Sequence, residues 1–156
     1  MNTNIDIIKN ICKYCLVNFE ISNSSRLMAS LVHQLSRELD IDVPAVEGLM
    51  YLDIHGSRRP FAHCFNLFNS NIVDSTIYSY ALMNKSLEDL FPLFITGTPP
   101  EHLDYVVQRE IKYEKQHKFK KEFLVSILSE LPKYSNVEIK RFNEYEDGKK
   151  KNIFWC

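Results

Sequence analysis

Glycine and proline are scarce in this chain of 156 residues, and neither sign of charge predominates. Four glycines and six prolines, against 45% apolar and 25% charged residues, exclude a collagenous, low-complexity or broadly disordered chain. Lys and Arg total 19 against 20 Asp and Glu, a net charge of −1, which argues against a general binder of phosphate backbones and so against a nucleic-acid partner. No apolar run approaches the roughly 18 residues that a membrane span requires. Asp6 precedes Lys9 where a secretory signal would carry an early positive charge. A cytoplasmic setting without a membrane partner is the expectation. Four cysteines (Cys12, Cys15, Cys64 and Cys156) are too few for a disulfide scaffold, and Cys12-Lys13-Tyr14-Cys15 has no second CxxC or CxxH to close a zinc site. Free thiols, no metal and no cofactor follow.

What remains is enough chain for one compact domain over 1–156, burying roughly 70% of the surface its unfolded form exposes. Ile8, Ile11, Cys12, Cys15, Leu16 and Phe19 recur at the three-and-four spacing of one helical face, so the early cysteines are core residues. Ser22-Asn23-Ser24-Ser25 is a cluster of helix-capping residues, and behind it Leu27, Met28, Leu31, Val32, Leu35 and Leu39 form a second apolar stripe. Ser24 or Ser25 therefore opens a helix.

From Val43 the pattern shortens. Val43, Val46 and Leu49–Ile54, then Phe61–Phe68, then Ile72–Tyr78 read as strands, separated by His55-Gly56-Ser57-Arg58-Arg59-Pro60 and by Asn69-Ser70-Asn71. Thr98-Pro99-Pro100-Glu101 reads as a capping box with proline at the first helical position, opening a long charged helix, continuous or interrupted near Gln116, to Leu131, which Pro132 closes. In it Arg109, Lys112, Lys115, Lys118, Lys120 and Lys121 interleave with Glu110, Glu114 and Glu122 as a solvated face. Val137–Phe142 suggests an edge strand, Glu144–Lys151 a polar run and Ile153–Cys156 an apolar tag. Helices, then strands, then a helical part over about 85–132 make the class α+β.

The last hairpin carries a geometric statement. A turn of two or four residues around Ser70 pairs Phe68 with Asn71 and Leu67 with Ile72, and puts His63 on the same face as Asp74. Diagonal neighbours of this kind allow the carboxylate to accept from an imidazole nitrogen and fix its tautomer. An acid orienting a histidine is half of a nucleophile-activating triad, and the third member is a hydroxyl or thiol near the other ring nitrogen. A helix N-terminus suits it, because its partial positive charge and unpaired N–H groups stabilise developing negative charge. Ser25 occupies such a place.

Ser25-Arg26-Leu27-Met28-Ala29-Ser30-Leu31, running on to Ile41-Asp42-Val43-Pro44-Ala45-Val46-Glu47-Gly48, resembles the stretch of the transglutaminase-like superfamily in which a catalytic Cys-Arg pair opens a helix that ends in a G-I-P-A turn and a Val-x-Gly strand. His63-Cys64-Phe65-Asn66 and Ile72-Val73-Asp74-Ser75-Thr76 are similar to its H-A-W-N and V-D-x-T strands. The resemblance covers about residues 20–80. It implies a papain-like core and acyl chemistry, meaning amide hydrolysis, transamidation or transfer through a thioester, on a peptide, amide or acyl-thioester substrate. It also implies that Ser25 stands at the nucleophile's position, His63 at the base's and Asp74 at the orienting acid's.

The departure falls on the nucleophile. A cysteine can rest as a thiolate at neutral pH, whereas a serine must lose its proton during attack. Three explanations stay open: a member kept for binding a peptide or protein partner without turnover, a true serine variant, or an engineered Cys→Ser replacement. Cys64 follows His63 directly and faces the other way on a strand, and Cys12 and Cys15 lie mid-helix. Asn18, seven residues before Ser25, is an oxyanion-donor candidate whose plainer reading is a helix-end amide. His33, His55, His102 and His117 have no ligand-like spacing. A structural interaction domain using the long helix and the apolar tag is a further reading.

Overall fold

The computed structural model describes residues 3–141. Helix α1 (Asn4–Asn18) opens on a capping box: the Thr3 hydroxyl accepts from the Asp6 N–H, and the Asp6 carboxylate accepts from the Thr3 N–H. Its apolar stripe is buried as the periodicity predicts, with Cys12 and Cys15 as free thiols. Burial pushes both upward, Cys15 to about 12. Asn23, in the left-handed region at φ 58°, turns the chain into helix α2 (Ser25–Glu38), whose N-cap is Ser24. Met28, Leu31, Val32 and Leu35 face the core there, while Leu27 and Leu39 at the edges of the stripe are exposed.

Three strands follow: β1 (Ala45–Ile54), β2 (Ser57–Phe68) and β3 (Asn71–Asp74). The β1–β2 turn is only His55-Gly56, both at positive φ as a two-residue hairpin requires. The predicted loop over 57–60 is therefore strand. Pro60 fits because N–H direction alternates along a strand. The Cys64 N–H points away from β1, so the Pro60 nitrogen points the same way, to an edge that β3 does not reach. Asn69 and Ser70, also at positive φ, set the second turn, and Phe68 pairs with Asn71 and Leu67 with Ile72 as expected. The predicted third strand stops at Asp74 instead of running to Tyr78, because the Asp74 carboxylate accepts the Thr76 N–H and bends the chain. A short helix α3 (Ser79–Met83) and a 3-10 stretch (Lys85–Leu90) come next.

The long C-terminal helix expected over about 100–131 is not formed. Its first half is strand β5 (Leu103–Glu110), preceded by β4 (Ile95–Gly97), and only Lys121–Glu130 (α4) is α-helical, running into a 3-10 stretch (Leu131–Asn136) that contains Pro132. Pairing with β1 overrides the helix-like spacing of charge: Leu103 and Tyr105 turn inward, and the residues from Val106 to Glu110 are exposed. The expected intrahelical face of Arg109–Lys121 dissolves with it, and Arg109 instead pairs with Glu47 across the sheet at 2.7 Å. Residues 137–141 form no strand; Phe142, the polar run and the apolar tag lie outside the described residues.

Among the described residues the five strands form one antiparallel sheet in the order β4-β3-β2-β1-β5. The fold is α+β, as expected, with two N-terminal helices and a shorter C-terminal one. Helices α1, α2 and α4 pack on one another and on Val73 at one face. Met50, Leu52 and Leu103 on the other face meet Ile77, Tyr78 and Phe91 from the segment after β3. No helix among the described residues is long and apolar enough to cross a membrane.

Gly48 lies on β1 opposite His63 and next to a bulge in the β1–β5 pairing. A Cβ added there would sit 1.9 Å from the Val106 carbonyl oxygen, which is backbone and cannot rotate aside. Gly48→Ala is expected to lower stability by about 1–3 kcal/mol or more. Urea unfolding checks this; an unchanged midpoint would mean that β5 does not approach β1 this closely.

Candidate active site

Asp74 ends β3 with its side chain wholly buried, and a carboxylate there must find donors in the protein, since bulk solvent does not reach it. It finds them on three elements. The His63 ring on β2 brings Nε2 to 2.7 Å from Oδ2, and the Tyr105 hydroxyl on β5 donates to the same oxygen at 2.6 Å. The Thr76 N–H donates to Oδ1 at 3.1 Å. Because a carboxylate in this setting accepts, the hydrogen of the His63 pair sits on Nε2, which leaves Nδ1 as the ring's acceptor.

Aromatic rings hold the imidazole in place. Phe65, two residues along the same strand face, stacks on it with centroids 6.3 Å apart, and Tyr80 and Tyr105 lean against it at 5.4 and 6.4 Å. The Tyr80 hydroxyl lies 3.1 Å from Nδ1. Burial first, and then the nearby Asp74 charge, push the Tyr80 and Tyr105 phenols above their ordinary range, so both keep the proton with which they donate.

Ser25 is the first residue of α2, and it lines a cavity of about 330 Å³ together with His63, Tyr80, Asn23 and Arg26. Its hydroxyl is turned to Cys64: Oγ accepts the Cys64 N–H at 3.2 Å, and its own hydrogen bond to the Cys64 thiol counters the upward push that burial gives that group. The reason lies in the sheet. Since β3 pairs with β2 only from Asn66 to Phe68, the outward amide of Cys64 has no strand partner, and Ser25 supplies the acceptor.

The structure thus brings His63 and Asp74 into direct contact and sets Ser25 in the same cavity, with the Ser25 hydroxyl bonded to Cys64 and Nδ1 facing Tyr80. Asn18 is not brought to this cavity. Its amide donates to the Tyr14 carbonyl at 2.9 Å and to the Tyr134 hydroxyl at 2.8 Å, tying the end of α1 to the C-terminal 3-10 stretch. Cys64 faces away from the imidazole, against Ala29, Ala45 and Ile111. Among the described residues no group of three or more His, Cys, Asp or Glu is placed to hold a metal ion. Sequence reasoning missed Tyr105, hidden in a segment read as helix, and Tyr80, which follows the unpredicted bend at Thr76. No family model, curated protein or solved structure matches the chain.

Removing the Tyr105 hydroxyl leaves a fully buried carboxylate short of one donor, whereas the Tyr80 hydroxyl borders a cavity that water can enter. Tyr105→Phe is expected to cost about 1–3 kcal/mol in urea unfolding and Tyr80→Phe about 1 kcal/mol or less. The reverse order would show that Asp74 does not depend on Tyr105.

Proposed function

We propose that this chain is a transglutaminase-like, cysteine-peptidase-type domain whose Ser25, His63 and Asp74 form an acyl-transfer or amide-hydrolysis site, with serine at the nucleophile's position. The observation that carries the reading is the buried His63–Asp74 pair, with His63 lining the same cavity as Ser25 at a helix N-terminus. The substrate class is a peptide, amide or acyl thioester, and a cytoplasmic location without nucleic-acid or membrane partners goes with it.

In this mechanism Ser25 Oγ leaves the Cys64 N–H and attacks the acyl carbon while its proton passes to His63 Nδ1, the Tyr80 hydroxyl first giving up that nitrogen. Asp74 holds the Nε2 hydrogen and stabilises the imidazolium. The amides at the start of α2 stabilise the charge that develops on the acyl oxygen. His63 then returns the proton to the leaving group as the acyl bond breaks, and water or a second nucleophile releases the acyl group by the same steps reversed.

A second reading is a pseudoenzyme that binds a peptide or protein partner in the same cleft without turnover. Two contacts favour it: the Ser25 hydroxyl is engaged by Cys64, and Nδ1 is met by Tyr80.

Ser25→Cys treated with a thiol-directed electrophile at about pH 6, where an ordinary thiol of pKa about 8.5 reacts slowly, separates the two readings. Fast labelling at position 25 that disappears with His63→Ala is the result expected of an acyl-transfer site. Labelling no faster than at Cys64 would leave only the binding reading.

A further inference from the structure

The cavity that holds Ser25 and His63 shares Phe61, Tyr80 and Met83 with a second one of about 430 Å³, between the β1–β2 hairpin and the α3 segment. That volume falls within the roughly 300–1,000 Å³ of small-ligand sites. Its walls are mostly apolar, with Leu52, Leu87 and Phe91 among them and Ser57 and Asn84 as polar members. Arg59 is the one charged residue lining it. It is exposed and has no ion pair among the described residues, whereas its neighbour Arg58 is held by Asp104 at 2.8 Å. Mostly apolar walls with one cation at the rim, unpaired among the described residues, favour a large apolar group next to an anion.

The backbone says how such groups would be presented. His63, Phe61 and Arg59 alternate along one face of β2, with His63 and Arg59 roughly 13 Å apart along the strand. The neighbouring edge of β2 is open, because β3 pairs only with Asn66–Phe68. The alternation that turns the Cys64 N–H outward does the same for the backbone of Ala62, which is exposed. An extended peptide laid along this edge would place residues two and four positions from the one at His63 against Phe61 and Arg59.

We propose that the second cavity is the specificity pocket of this site: it takes the large apolar side chain of an extended peptide lying along the free edge of β2, and Arg59 pairs with an acidic side chain two residues further on. Placing the reacting residue at His63 rests on the acyl-transfer reading; the binding itself does not.

The test titrates acetyl-Ala-Ala-Phe-Ala-Glu-amide into the full chain by calorimetry, and into Ser25→Ala so that turnover plays no part. Replacing the peptide's phenylalanine with alanine is expected to weaken binding about tenfold, and replacing its glutamate with glutamine about threefold. Arg59→Gln is expected to abolish the glutamate preference alone. Ser57→Trp, which plugs the pocket from an exposed position, is expected to abolish the phenylalanine preference. Equal binding of all three peptides, no binding at all, or preferences that survive both variants would overturn the proposal. Because the peptides are compared with one another within each protein, whatever Ser25→Ala does to overall affinity, this outcome is independent of the labelling of Ser25→Cys.

Discussion

A carboxylate removed from water has to be met by donors, and the Asp74 side chain imposes that requirement at the point where three parts of the chain converge. Stripping a charged group of solvent costs several kcal/mol unless hydrogen bonds replace the water. The replacements come from β2, from β5 and from the bend that Asp74 itself begins. The position of β5 beside β1, the close approach at Gly48 and the orientation of the imidazole are thus one problem with one solution. The aromatic rings around His63 restrict the ring to the rotamer that faces the acid.

The second constraint is the early departure of β3. By bending away after Asp74 it leaves the edge of β2 that faces away from β1 without a strand partner from Cys64 toward its start, and Ser25 and both cavities lie along that edge. The N-terminus of α2 fills one end, with Ser25 taking the place of a strand carbonyl opposite the Cys64 amide. Phe61, Tyr80 and Met83 line the next stretch, and Arg59 stands at the far end. The hydroxyl thus serves the sheet as well as facing the cavity, so chemistry at Ser25 would temporarily uncover a backbone amide.

Local signals carried the part of the fold that local physics decides. The two N-terminal helices were legible from apolar spacing, and the register that sets Asp74 against His63 was legible only on the condition of a turn of two or four residues around Ser70, which Asn69 and Ser70 at positive φ meet. The strand β5 was not. Val106-Val107-Gln108-Arg109-Glu110 leads into a run whose charges, from Arg109 to Glu122, recur at helical spacing, and only the open edge of β1 makes it a strand. Tyr105 was lost with it. Tyr80 was invisible for a different reason: its approach to Nδ1 depends on the bend at Thr76, which arises from a side-chain contact with Asp74. Asn18 shows the opposite failure, since its distance in sequence from Ser25 suited an oxyanion donor while Tyr134, 116 residues away, claims its amide.

The account stands on the direction of one hydrogen bond, His63 Nε2–H to Asp74, because that bond decides which ring nitrogen is left to accept a proton. Long-range ¹H–¹⁵N NMR of the histidine-labelled protein reads this directly. The expected result is a slowly exchanging proton on His63 Nε2 that is lost or becomes fast-exchanging in Asp74→Asn, with Nδ1 responding to Tyr80→Phe. A proton fixed on Nδ1 with Nε2 bare, or a ring averaging between tautomers, would contradict the account.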